Sequence, residues 1–136
     1  MLKFHHVGVA TKDINKSVEQ FKQHFHESIS FESEVVFDPE QNASLKIITL
    51  EDGSSTEFIS GKMVEGLVKR KVDLYHVCYE SSDFGNDTAN LASNGAIPIS
   101  KKKPAVLFGG RHVQFFMTGY GMVEVLESID EYCAGQ

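Results

Sequence analysis

The chain opens with a strand pattern followed by a helix pattern. Residues 3–10 are rich in Val and Phe, which is typical of a β-strand. Apolar residues then recur with the period of an amphipathic helix, at Ile14, Val18, Phe21 and Phe25. Asp13 directly precedes them and is predicted to cap this helix by accepting from amides of its first turn. Further strands are predicted at 29–37, 43–50 and 55–60, so the first half reads βαβββ.

The second half repeats this order of elements. A short helical linker around residues 63–69 is followed by a strand at 72–80 and a polar helix from Asp83 to Asn94, with Gly95 as its stop. The remaining strands are predicted near 97–100, 112–117 and 121–127. Internal repetition of this kind usually sets the architecture. We therefore expect residues 1–136 to form a single domain of two βαβββ modules, about 3–60 and 72–128.

The repeat also places a histidine and a glutamate at matching points in each half. His6 and His76 lie in the first strand of each half, and Glu57 and Glu124 lie in the last strand. Because side chains alternate between the two faces of a strand, these residues can point away from the helix-covered layer. Two imidazoles and two carboxylates suit Zn, Ni, Co, Mn or Fe. The alternative is two core or surface histidines and two solvated glutamates, because no short metal motif such as His-Glu-x-x-His is present.

Composition narrows the class of partner. The chain has 136 residues, of which 41% are hydrophobic and 24% charged, the profile of one globular domain. Its formal charge of −6 argues against a nucleic acid or an anionic membrane as partner, since both favour a basic surface. The first residues lack a signal-peptide pattern, and two cysteines are too few for a disulfide framework. We therefore expect a cytoplasmic location.

Three runs carry a resemblance to a known family. Residues 4–10, 75–80 and 121–127 read FHHVGVA, YHVCYE and GMVEVLE. They resemble the signature strands of the vicinal oxygen chelate superfamily, which includes methylmalonyl-CoA epimerase, glyoxalase I, extradiol dioxygenases and bleomycin-resistance proteins. The resemblance covers about residues 3–128 and is closest to the epimerase and glyoxalase I. It implies an α+β fold whose two modules pair into a cup-shaped mixed sheet around a divalent metal, with four ligands at His6, Glu57, His76 and Glu124.

The resemblance also implies a chemistry. In the isomerases and glyoxalases of this superfamily, a divalent ion such as Zn, Ni, Co or Mn stabilises an enolate while a base removes a proton from carbon. Glu124 matches the base on the last strand. The epimerases have a second glutamate base on a strand of the first module, and the matching position here falls on Lys46. A lysine acts as a base only where burial or a nearby cation lowers its pKa, and otherwise it anchors an anion or extends to solvent. Glu124 and Lys46 are the predicted catalytic residues.

Basic residues are unevenly distributed for an acidic chain. They cluster at 69–71 and 101–103, and Arg111 follows two glycines that permit a close approach of the backbone. Arg111 is predicted to bind a substrate carboxylate or phosphate, and a hydrated arginine in a surface turn is the alternative. The expected partner is a small-molecule substrate such as a coenzyme A or glutathione thioester. Proteins of this resemblance are often homodimers, and we expect one here.

Several functions remain open at this point. The preferred one is a metal-dependent isomerase of the epimerase type, acting on an acyl thioester or a 2-substituted acid. The first alternative is a glyoxalase I-like lactoylglutathione lyase, which would use all four ligands including Glu57. The second is a small-molecule-binding resistance protein without catalysis, which is disfavoured because such proteins usually lose the metal positions. An extradiol dioxygenase needs three open positions on its ion, and Glu57 would occupy one of them.

Overall fold

The protein is described by a computed structural model of residues 1–136, in which the chain divides into two units. We call His6–Tyr75 the first unit, and Met1–His5 together with His76–Gln136 the second unit. No helix of the chain is both long and apolar enough to cross a membrane. The prediction of a single domain over these units stays a prediction.

The first unit is a mixed sheet with one long helix against it. Its elements are β1 (Leu2–Ala10, which enters this unit at His6), α1 (Ile14–Phe25), β2 (Ile29–Glu32), β3 (Val36–Asp38), β4 (Ala43–Leu50) and β5 (Ser55–Gly61). The strand order is β2-β4-β5-β1, and β3 also pairs with β4. The β1–β5 pair is parallel, and the other pairs are antiparallel. A 3₁₀ turn (Lys62–Val64) and α2 (Glu65–Lys69) follow, where the helical linker is predicted.

The second unit repeats this plan. Its elements are β6 (Leu74–Ser81), α3 (Phe84–Ser93), β7 (Ile97–Pro98), β8 (Lys103–Pro104), a 3₁₀ turn (Val106–Phe108), β9 (His112–Thr118), β10 (Gly121–Glu127) and α4 (Ile129–Ala134). The strand order is β6-β10-β9-β7, with β8 also paired to β9. The β6–β10 pair is parallel, as β1–β5 is, and the remaining pairs are antiparallel. The predicted fold class, α+β with two βαβββ modules and mixed strand pairing, is confirmed.

In each unit the strand after the helix is interrupted. The sequence predicts one continuous strand over residues 29–37 in the first unit, and a single strand near 97–100 in the second. At the first break, between β2 and β3, the hydroxyl of Ser33 accepts a hydrogen bond of 2.9 Å from the amide of Ile47 on β4. At the second, between β7 and β8, the hydroxyl of Ser100 accepts one of 2.9 Å from the amide of Phe115 on β9. A side-chain oxygen thus replaces a backbone carbonyl as acceptor, which keeps the neighbouring strand's amide satisfied across the break.

The long helix of each unit covers one face of its sheet. Ile14 and Val18 of α1 pack on Ile48 and Phe58, and the side chain of Asp13 accepts from the amide of Lys16 (3.1 Å), which confirms the predicted cap. In the second unit Asp83 caps α3 in the same way, through the amide of Asn86, and Gly95 follows the helix at a positive φ of 97°. The covered core there contains Phe84, Ala96, Phe116 and Val125. The predicted histidines and glutamates lie on the other face of each sheet.

Three elements of the second unit were not predicted: β8, the 3₁₀ turn and α4. The turn brings Phe108 and the preceding Ala105 onto Cys78 and Leu126, so the side chain of Cys78 is packed in an apolar cluster. The helix α4 begins after Ser128, whose hydroxyl accepts from the amide of Glu131. This Ser-x-x-Glu spacing is a known start signal for a helix and was visible in the sequence.

Candidate functional site

The first unit contains a buried histidine–glutamate pair. His6 on β1 is fully buried and Glu57 on β5 is 5% exposed, with Nε2 of His6 lying 3.5 Å from Oε1 of Glu57. In the parallel register the direct partner of His6 is Ser55, and the direct partner of Glu57 is Gly8.

The second unit contains the matching pair. His76 on β6 and Glu124 on β10 are each 4% exposed, and Nε2 of His76 lies 3.2 Å from Oε1 of Glu124. The direct partners are Met122 for His76 and Cys78 for Glu124. The ring of Phe115 meets the imidazole of His76 edge-on, with centroids 5.3 Å apart, and restricts its rotation.

The two pairs have the same register. In each unit the glutamate sits opposite the residue two positions after the histidine, across a parallel strand pair. The predicted repeat is therefore exact at the level of strand pairing. Burying a carboxylate costs free energy unless a positive or hydrogen-bonding group compensates it, and a divalent ion would do so. Imidazole nitrogen and carboxylate oxygen are donors that suit such an ion, so the residues present fit the metal implied by the fold.

The structure does not bring Lys46 to the face that carries Glu57. The direct partner of Lys46 is Phe58, which lies in the core under α1, whereas Ile47 is the partner of Glu57. The ammonium group of Lys46 lies 2.8 Å from a carboxylate oxygen of Glu32 and donates to the backbone carbonyl of Ser33, also at 2.8 Å. The predicted base is thus an ion-pair partner on the opposite side of β4.

The guanidinium group of Arg111 is held by its own unit. Its Nη2 lies 2.6 Å from a carboxylate oxygen of Glu80, and its Nε donates to the backbone carbonyl of Glu127 at 2.8 Å. The side chain is 13% exposed. Binding of a substrate anion by Arg111 stays a prediction, and the structure adds that such an anion must compete with Glu80.

Glu127 is a further buried acid, with a partner that the sequence did not reveal. Its carboxylate accepts from the amide of His112 at 3.0 Å and lies 2.8 Å from Nδ1 of the same residue. Burial acts to raise the pKa of Glu127, but the hydrogen bonds from the amide and ring of His112 outweigh it, so the pKa is lowered. His112 had no predicted role, and the structure makes it the partner of this acid.

Sequence reasoning also missed a hydroxyl pair beside the first His–Glu pair. Ser55 is the direct partner of His6, and its Oγ lies 2.7 Å from Oγ1 of Thr49 on β4. The signal was present, since Ser55 lies two residues before Glu57 and so shares its face of β5.

Comparison with known proteins places the chain in a family. Residues 5–115, well over half of the chain, match the model of the Glyoxalase/Bleomycin resistance protein/Dioxygenase superfamily. The chain therefore belongs to this superfamily, the vicinal oxygen chelate superfamily, and the resemblance found in the sequence is confirmed. No curated protein matches the chain.

Solved structures share the fold at low sequence identity. The crystal structure of methylmalonyl-CoA epimerase from Mycobacterium tuberculosis is 13% identical, with a TM-score of 0.81 over 97% of this chain and 91% of that one. A hypothetical protein from Bacillus halodurans is 14% identical, with a TM-score of 0.77 and coverage of 93% and 94%. A Streptomyces coelicolor methylmalonyl-CoA epimerase variant in complex with 2-nitronate-propionyl-CoA is 16% identical, with a TM-score of 0.74 and coverage of 95% and 99%. At these identities the likeness concerns the fold alone.

Proposed function

We propose that the protein is a metal-dependent isomerase of the epimerase type, acting on an acyl thioester or a 2-substituted acid. The four residues proposed to hold one divalent ion are His6, Glu57, His76 and Glu124. The observation that carries the proposal is the matched register of the two buried His–Glu pairs. If the two His–Glu pairs only stabilised their own units, they would not need the same register. One ion held by both modules, in contrast, requires equivalent donors from each of them.

The residues of the chain divide the proposed chemistry among them. When bound, a divalent ion would supply positive charge beside a substrate oxygen and so favour the enolate form. Glu124 is the proposed base that takes the proton from carbon. His76 lies 3.2 Å from it and fixes its carboxylate, while Phe115 fixes His76.

One observation favours a lyase of the glyoxalase I type as the second candidate. Epimerisation returns a proton to the opposite side of the carbon and is best served by two bases. On the Glu57 face of β4, however, the side chains beside β5 include Leu45 and Ile47, which cannot act as bases. Moving a proton between adjacent carbons needs one base only, and Glu124 is sufficient for that reaction.

Metal binding is the first test. Metal-stripped protein is titrated calorimetrically with Zn, Ni, Co and Mn chloride, and one ion per chain is expected. His76→Ala and Glu57→Ala should each weaken binding by more than about tenfold, because one of four ligands is lost. His24→Ala, which removes an exposed histidine of α1, is the matched control. Undiminished affinity in His76→Ala would contradict the proposed site.

Substrate turnover is the second test, with the metal-loaded protein. Exchange of the α-proton of methylmalonyl-CoA in heavy water is expected from the isomerase, and conversion of the methylglyoxal–glutathione adduct is expected from the lyase. In either case Glu124→Gln should slow the reaction by about 10²–10⁴-fold, the usual contribution of a general base. The proposal would be overturned if the protein processed neither substrate, or if Glu124→Gln kept full activity.

A further inference from the structure

A row of side chains runs from His6 across the sheet of the first unit. Ser55 on β5 is the direct partner of His6, Thr49 on β4 is the partner of Ser55, and Phe31 on β2 is the partner of Thr49. Direct partners on neighbouring strands share a face, so the whole row lies on the face that carries Glu57. The side chain of Glu32, the residue after Phe31, bonds Lys46 on the opposite face of the sheet. Because neighbouring side chains alternate between faces, Phe31 itself lies on the face of Glu57.

The two hydroxyls in the middle of the row bond each other. Oγ1 of Thr49 and Oγ of Ser55 are 2.7 Å apart, and either can be the donor. The pair has two hydroxyl protons and uses one in this bond, so one proton remains to be donated. Ser55 is 8% exposed. When Thr49 donates to Ser55, the remaining proton belongs to the buried Ser55 hydroxyl, where it is costly to leave without an acceptor, and a substrate group beside His6 would provide one.

The second unit shows that the scaffold does not require hydroxyls at these positions. The equivalent row from His76 continues through Met122 on β10, Met117 on β9 and Ile97 on β7. All three side chains after the histidine are apolar. The two modules therefore share their His–Glu pairs but differ in the row beside them, and the polar row is a property of the first unit alone.

We propose that the Thr49–Ser55 pair binds an amide in the carrier arm of the substrate, two carbons from the sulfur. This rests on the proposed function, in which a substrate oxygen lies beside the ion that His6 helps to hold. Neighbouring strands are about 4.8 Å apart, so the pair lies roughly 5–10 Å from His6 along the row. In a thioester with the chain S–C–C–N(amide), the thioester oxygen and the amide are roughly 5–6 Å apart by ordinary bond lengths. Coenzyme A and glutathione share this chain.

The outer end of the row suits the rest of such an arm. Phe31 is 55% exposed, so its ring is accessible to a bound molecule. It lies one strand beyond Thr49, on the same face. A carrier arm bound by the hydroxyls would pass over this ring.

Two unreactive probes test the inference. S-carboxymethyl-N-acetylcysteamine carries the amide, and (butylthio)acetic acid has the same carboxylate and sulfur without it. Binding of each to Zn-loaded protein is measured by calorimetry. The wild type should bind the amide probe about 3–10-fold more tightly, the usual effect of one hydrogen bond. Ser55→Ala and Thr49→Val should lose this preference and keep their affinity for the second probe. Ser44→Ala is the matched control, because Ser44 pairs with Ser60 across the same two strands on the opposite face.

The outcomes separate this inference from the proposed function. Equal affinity of the wild type for both probes, or a preference that survives in Ser55→Ala and Thr49→Val, overturns the inference alone. A lower melting temperature of these variants with an unchanged preference also overturns it, since the pair would then only stabilise the strands. Binding of both probes that does not depend on the metal, or no binding of either, overturns the proposed function and the inference with it.

The same measurement distinguishes the two carriers. S-carboxymethyl-coenzyme A and S-carboxymethylglutathione are compared with the short amide probe on the Zn-loaded wild type. The carrier that gains affinity over the short probe is the one whose remaining groups also find partners. If one of these two compounds binds more weakly than the short amide probe, its carrier is excluded as the carrier of the natural substrate.

Discussion

Ile47 is the direct antiparallel partner of Glu57, so an aliphatic side chain lies beside this carboxylate on its face of the sheet. The neighbouring residue, Lys46, points to the other face and bonds Glu32 and the carbonyl of Ser33. The strand that would supply a second base in an epimerase therefore presents an apolar side chain at that place. On β4, Ile47 therefore faces the proposed site, whereas Lys46 contributes an ion pair on the opposite face.

Lys46→Met is expected to leave the rate of proton transfer unchanged and to reduce stability. The variant removes an ion pair and a hydrogen bond outside the proposed chemistry, and the free energy of unfolding should fall by roughly 1 kcal/mol. Steady-state kinetics and urea denaturation measure the two effects. A rate that falls by orders of magnitude while stability is retained would restore Lys46 as a catalytic base.

Glu32 should make the stability of the protein depend on pH in the acid range. Hydrogen bonds from Lys46 and Lys22 lower its pKa from the ordinary value of 4.5. Folding therefore favours the charged carboxylate, and its contribution is complete above about pH 4.5 and is lost as the pH falls through the lowered pKa. Urea denaturation from pH 7 to pH 3 should show a stability difference between wild type and Glu32→Gln that shrinks only below about pH 4.5. A difference independent of pH would show that the carboxylate charge contributes nothing.

A divalent ion should stabilise the folded protein strongly. Since the proposed ligands are assembled only on folding, ion at 100 times its Kd should add about 2.7 kcal/mol to the free energy of unfolding. Thermal melts with added Zn or Ni, and again after EDTA, measure this shift in wild type, in His76→Ala and in the control His24→Ala. The shift should persist in the control and fall to about half or less in His76→Ala, because binding that is more than about tenfold weaker leaves the ion at no more than about 10 times its Kd. An equal shift in all three proteins would indicate binding elsewhere.

The elements with clear periodicity could be predicted from the sequence, and the breaks within strands could not. The helical spacing of apolar residues defines α1, and its cap follows from Asp13 alone. In contrast, nothing in residues 29–37 marks the interruption after Glu32, because the bond that compensates it comes from Ser33 to a distant strand. Local patterns report local structure, whereas this break is stabilised by a contact between strands.

The site shows the same limit. The repeat and the alternation of faces led to both His–Glu pairs, since each strand could be aligned on its own histidine or glutamate. On β4 no such marker exists, and an error of one residue moves a side chain to the opposite face. The sequence alone therefore could not decide whether Lys46 or Ile47 shares the face of Glu57, and a catalytic role of Lys46 stays a prediction. The pairing of Arg111 with Glu80 joins residues far apart in the sequence and has no local signature.

Ser33→Ala and Ser100→Ala should have equal effects, because each hydroxyl accepts the amide of the residue opposite a proposed metal ligand. Ile47 is the partner of Glu57, and Phe115 is the partner of Glu124. Removing either hydroxyl leaves a backbone amide without its acceptor, at a cost of about 1–3 kcal/mol. Urea denaturation should show this loss in both variants, while Ser60→Ala stays within about 0.5 kcal/mol of the wild type. Because the affected amides lie beside the glutamates, both variants should also bind the metal more weakly. A loss of stability with unchanged metal affinity would show that the serines only bridge the broken strands and do not position the ligands.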